Sequence, residues 1–194
     1  MLEPTAANDN QPRSPAVHLT KNSGDDEWYT PARYIELARQ VLGVIDLDPA
    51  SNLTAQATVK AATFYTEETN GLDKPWNGKV WMNPPYSRNL IGRFIDKIIE
   101  EHRTGRCTEA VVLTNNSTDT KWAAVLFQNA SALCFTRGRV KFYSPTKGCP
   151  SGSLQQGQLF SYLGRRPDRF ASVFREVGHI VTPCNDNIGC TQAS

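Results

Sequence analysis

Through the middle of the chain, short apolar runs alternate with residues at helical spacing. Residues 44–48 and 79–82 read as strands, each stopped by a polar cluster containing proline. Leu90, Ile91, Phe94, Ile95, Ile98 and Ile99 fall on one face of a strongly amphipathic helix. An earlier helix is predicted with Thr30 as its N-cap and Pro31 in its first turn; Tyr34, Ile35, Leu37, Ala38, Val41 and Leu42 continue it. Residues 110–114 form a continuous apolar run of the buried-strand type, and residues 120–128 a further helix. Strands are expected at 132–135, 140–143 and 159–163, and a last helix over 170–177.

Strands alternating with helices predict an α/β fold, with a mostly parallel sheet covered on both faces and an antiparallel edge from the late strand cluster. The periodic region, residues 23–181, is expected to form one domain. Residues 1–22 and 182–194 are rich in small and polar residues without periodicity, which predicts a mobile arm and a mobile tail. Open sheets of this class bind ligands at the carboxyl ends of their strands. Asp48-Pro49-Ala50-Ser51 and Asn83-Pro84-Pro85-Tyr86 both fall there.

Charge adds little to this picture. A formal net charge of +2 and an isoelectric point near 8.3 permit a polyanionic partner without requiring one. The five cysteines show no C-x-x-C pair and no histidines at zinc spacing, so no metal site is expected. The amino-terminal residues lack an export signal, and no stretch is apolar enough to span a membrane. A reduced, cytoplasmic protein is expected.

The informative feature is Asn83-Pro84-Pro85-Tyr86 between a strand and a helix. At average composition a given tetrapeptide occurs in a chain of this length on the order of once per thousand chains. A rigid turn would also use two prolines, but it requires neither the asparagine nor the tyrosine. The residue types suit an exocyclic aromatic amine, whose lone pair is delocalised and weakly nucleophilic. Two carbonyls accepting from both amine hydrogens favour a pyramidal nitrogen. Asn83 offers one on its side chain and Pro84 one on its backbone, restricted by Pro85. Tyr86 offers a face for a stacked base. Arg137, Arg139 and Lys141, interleaved with Phe142 and Tyr143, form the densest basic-aromatic stretch and are candidate DNA contacts, as is Arg88 beyond the tetrapeptide. The polar segment 144–153 is a candidate loop reaching a groove.

Five segments occur in order: Trp28-Tyr29-Thr30-Pro31, Asp46-Leu47-Asp48-Pro49-Ala50-Ser51, Asn70-Gly71-Leu72 with Trp76, Trp81-Met82-Asn83-Pro84-Pro85-Tyr86-Ser87, and Arg137-Gly138-Arg139-Val140-Lys141-Phe142. Together, over about residues 26–165, the chain resembles the phage-type DNA N-6-adenine methyltransferases, a family of small Dam-like proteins. The resemblance implies a Rossmann-like methyltransferase fold, S-adenosylmethionine as donor and double-stranded DNA as substrate, in a phage- or prophage-encoded protein of a bacterial cell. It implies catalytic roles for Asn83, Pro84, Pro85 and Tyr86. It also implies cofactor contacts from Trp28, Thr30 and Pro31, from Asp46 and Asp48 with Pro49 and Ala50, and from Asn70. No glycine-rich turn follows the first strand; Asp48-Pro49-Ala50-Ser51 stands in its place. Two alternatives stay open: a methyltransferase acting on RNA or a protein glutamine, and an inert DNA-binding relative.

Overall fold

A computed structural model describes residues 29–87, 89–142 and 156–183. The arm at 1–22, most of the tail, the 144–153 segment, Trp28, Arg88 and Tyr143 lie outside the described residues. Among those described, no helix is long and apolar enough to cross a membrane.

The chain order is α1 (Ala32–Leu42), β1 (Leu47–Asp48), α2 (Leu53–Val59), β2 (Thr63–Phe64), β3 (Gly78–Met82), α3 (Ile91–Arg103), β4 (Cys107–Asn115), α4 (Lys121–Asn129), β5 (Ala132–Thr136), β6 (Gln158–Leu163), α5 (Pro167–Phe174) and β7 (Gly178–Val181). The strands form one seven-stranded sheet in the order β2-β1-β3-β4-β6-β5-β7. The pairs β1/β2, β1/β3 and β3/β4 are parallel, while β6 runs antiparallel to β4 and β5, and β7 antiparallel to β5. Thus β5 points the same way as β3 and β4. This is the mixed α/β sheet expected of a Rossmann-like methyltransferase. The antiparallel component is split between an inserted strand, β6, and the edge strand β7.

Strand alternation builds two cores. Trp81, Val111, Leu113, Phe160 and Tyr162 face α1 and α5, packing with Ile35, Ala38, Leu42, Phe170 and Phe174. Val80, Met82, Ala110 and Val112 face the other way, onto Ile91, Phe94, Ile95 and Ile98 of α3 and Leu126 of α4. Each fully buried Val, Leu, Ile, Phe or Met among them contributes about 2 kcal/mol of transfer free energy, so β3 and β4 are clamped from both faces.

Near the amino end of β4, Glu109 accepts from Tyr162 Oη at 2.5 Å and from Arg166 Nε at 2.8 Å. Lys79 Nζ and Arg166 Nη2 in turn donate to the carbonyls of Leu42 and Val41, holding the last turn of α1 to that edge.

Three expectations need correction. Residues 140–142 alternate in burial but join no strand, because the Val140 amide donates to the side chain of Gln158 at 2.7 Å instead of to a ladder. The last helix begins earlier, with Pro167 in its first turn, and ends at Phe174, so that residues 178–181 add strand β7. Pro31, not Thr30, occupies the N-cap of α1, and no side chain caps that helix.

Candidate active site

At the carboxyl end of β3 the ladder to β4 stops because Pro84 and Pro85 have no amide donors. Asn83 is half-buried, Pro84 buried, and Tyr86 37% exposed. Asn83 Oδ1 accepts from Tyr86 Oη at 2.9 Å, and Asn83 Nδ2 donates to Thr30 Oγ1 at 3.3 Å. Tyr86 Oη also lies 3.4 Å from the carbonyl of Leu113 on β4. The hydroxyl end of the ring is held inward while the residue as a whole stays exposed. Desolvation there raises the phenol above its ordinary range, so it remains a neutral donor.

The neighbouring strand β1 ends in Asp48, which is buried and accepts from Gln56 Nε2 at 3.1 Å and from the Ala50 amide at 3.4 Å. Burial pushes its carboxyl up to about 7, opposed by hydrogen bonds from Ser51, Ala50 and Gln56. Gln56 also donates to Ser51 Oγ at 2.8 Å and accepts from the Ala61 amide, so one side chain of α2 ties the turn together. Asn52 caps α2 through the Ala55 amide and donates from Nδ2 to Tyr29 Oη at 3.1 Å. Tyr29 and Thr30 therefore bridge the loops after β1 and β3.

Gly71 packs so tightly on this turn that a Cβ there would stand 3.1 Å from the carbonyl carbon of Pro49 and nearer still to its oxygen. Trp76 Nε1 holds the Gly71 carbonyl at 2.7 Å. Asn70, at φ 47°, donates from Nδ2 to Asp73 at 2.5 Å. The Asn70-Gly71 step thus sits against Pro49.

Of the expected site residues, the structure brings together Thr30, Pro31, Asp48, Pro49, Ala50, Asn70, Asn83, Pro84, Pro85 and Tyr86 around the carboxyl ends of β1 and β3. Two do not join them as expected. Asp46 precedes β1, and its carboxylate accepts from the Lys79 amide at 2.8 Å at the start of β3; a Cβ on Gly78 would meet it at 2.5 Å. Arg137 directs its guanidinium to the carbonyls of Arg175 and Glu176, at 2.8 and 3.0 Å, beyond the end of α5. Arg139 and Lys141 are exposed beyond the carboxyl end of β5, which shares the direction of β3. Asn52 and Gln56 escaped the sequence reading, and Tyr29 entered it only within the Trp28-Tyr29-Thr30-Pro31 segment, with no role of its own. Asn52 ahead of a helix is a capping signal, but α2 has too few apolar positions to declare itself.

A profile of the family described as DNA N-6-adenine-methyltransferase (Dam) matches residues 18–168. The DNA N-6-adenine-methyltransferase of Haemophilus phage HP1 (strain HP1c1) is 32% identical over 134 residues, spanning 66% of this chain and 73% of that protein. The protein of the same description from Escherichia phage T1 is 34% identical over 116 residues, 59% of this chain and 46% of its own length.

Proposed function

Because the chain belongs to the DNA N-6-adenine-methyltransferase (Dam) family, we propose that it transfers a methyl group from S-adenosylmethionine to the N6 amine of an adenine flipped out of duplex DNA. The observation that carries the reading is the seating of Asn83 beside an exposed Tyr86, one strand away from the small-residue turn that ends β1.

The residues at that turn fit a donor of this kind. Ala50 and Ser51 allow close backbone approach without a glycine-rich loop, and Pro49 is cradled by Gly71. Asp48 spends its carboxylate within the turn, so the donor would be held by the backbone of Pro49 and Ala50, by Asn70 and by the segment through Pro31. When bound, it supplies a methyl group activated on a sulfonium centre.

The protein's own contribution is positioning. Asn83 Oδ1 and the Pro84 carbonyl accept the amine's hydrogens and keep its lone pair out of the purine ring. Tyr86 stacks on the extruded base, and its hydroxyl shares Asn83 Oδ1 or yields to the arriving amine. No side chain has to take the proton, since an alkylated amine is acidic enough to lose it to water. Arg139 and Lys141 contact phosphates on the same edge of the sheet, and the reaction takes place in a bacterial cytoplasm.

The test supplies methyl-labelled donor with separate DNA, RNA and protein pools. Label should appear in DNA as N6-methyladenine, and Asn83→Ala should abolish it while donor and DNA binding persist. Label confined to RNA or protein would exclude the DNA reading. Full activity in Asn83→Ala would remove the loop from the chemistry.

A further inference from the structure

Asn83 rests between two hydroxyls, one on each end of its amide: Tyr86 on the oxygen and Thr30 on the nitrogen. Thr30 belongs to a different part of the chain, 53 residues earlier. Its hydroxyl is not needed as a helix cap, because Pro31 holds the cap position and α1 is closed by no side chain. The mount beneath it is rigid. Pro31 sits at φ −57°, ψ 141°, and the helix that follows buries Ile35, Ala38, Val41 and Leu42 completely. From those observations we infer that Thr30 is the positioning residue for Asn83, its hydroxyl accepting from the amide nitrogen in the state in which the amide oxygen faces the target amine.

The chemistry makes this role specific. A terminal amide can turn over and present its NH2 where an acceptor is required, and two donors would then meet. A hydroxyl both donates and accepts, so Thr30 alone does not choose between the two states. The substrate chooses, because its amine brings only donors to the side now occupied by Tyr86. In that productive state the Asn83 nitrogen points away from the base and needs an acceptor, which Thr30 supplies. The adjacent Tyr29 anchors the same short segment to Asn52 in the other loop. One strap therefore references the catalytic loop to the donor turn. This role differs from the direct donor contact that the family resemblance implies for Thr30.

The inference rests on the proposed methyl transfer, and its test separates the two. Thr30→Val keeps the shape and removes the acceptor; Thr30→Ser restores it. With duplex DNA and S-adenosylmethionine, the single-turnover rate of Thr30→Val should fall about fivefold to tenfold, the usual worth of one neutral hydrogen bond. Titrated donor and DNA affinities and the melting temperature should stay at wild-type values, and Thr30→Ser should recover the rate. Weakened donor binding with an unchanged rate would overturn the inference in favour of a donor contact. An unchanged rate and unchanged affinities would overturn it outright, as would a rate loss that Thr30→Ser does not repair. A wild-type protein that methylates no DNA would fail the proposed function itself, before any variant is compared.

Discussion

Gly71→Ala tests whether the turn after β1 is shaped by close packing from the 70–76 segment. The added Cβ would stand 3.1 Å from the Pro49 carbonyl carbon, 3.2 Å from Tyr65 Cβ and below 3.0 Å from the Pro49 oxygen, a range real Cβ atoms do not occupy. Relief requires the two segments to separate by about 1 Å, and in a close-packed interior neither has slack to move. Pro49 is bracketed by the β1/β2 pairing and by the Ser51 amide on the Tyr65 carbonyl at 2.8 Å. Gly71 is held from the other side by Trp76, which is completely buried. The clash falls on backbone and not on a flexible side chain, so the cost belongs at the upper end of overpacking, about 3 kcal/mol. For a domain of this size that lowers the melting temperature by about 6–12 °C. Donor affinity should fall with it, because Asn70 and Pro49 separate by the same movement. Gly92→Ala, in the first turn of α3 with nothing within 4 Å of its Cβ, is the control and should leave the melting temperature level or higher. Scanning calorimetry of both variants with a donor titration decides the matter. A Gly71→Ala protein that melts with the wild type and binds donor equally well would show that the packing is not a constraint on the site.

Asp48 makes stability depend on pH in the direction opposite to a salt-bridged carboxylate. Its folded pKa, about 7, lies above the ordinary 3.8, so the folded state holds the proton longer. Stability is full below about pH 4 and is lost as pH rises towards 7, by on the order of 4 kcal/mol. Urea midpoints should show that slope removed in Asp48→Asn, and parallel wild-type and variant profiles would contradict it. The two arginines around Gly138 should separate cleanly. Arg139→Ala is expected to weaken DNA binding and to reduce its salt dependence by about one released ion, without changing the melting temperature. Arg137→Ala should instead lower the melting temperature by a few degrees through loss of its contacts beyond α5, with DNA affinity unchanged; the reverse pattern in binding and melting assays would exchange their roles.

Much of the fold was legible because β3, β4 and α3 carry their own periodicities. Trp81 alternates with Val80 and Met82, and Phe94, Ile95 and Ile98 share a helical face, so local order predicts which side is buried. Strand β1 was legible too, read as residues 44–48 and found shortened to Leu47–Asp48, but the two-residue strand β2 and the edge strand β7 carry no such signal. They are strands because neighbours pair with them: Leu47 with Thr63, and Cys134 with Ile180.

The amino-acid sequence by itself determined that a parallel sheet would present Asn83-Pro84-Pro85-Tyr86 at a strand's carboxyl end, since proline chemistry and apolar spacing act between near neighbours. Tertiary structure decided which polar group meets which. It turned Asp46 to the Lys79 amide while Asp48 closed its own turn, sent Arg137 to α5, and set Thr30 beside Asn83. Those pairings join residues far apart in the chain, and their partners are chosen only once packing fixes distances that no local pattern encodes.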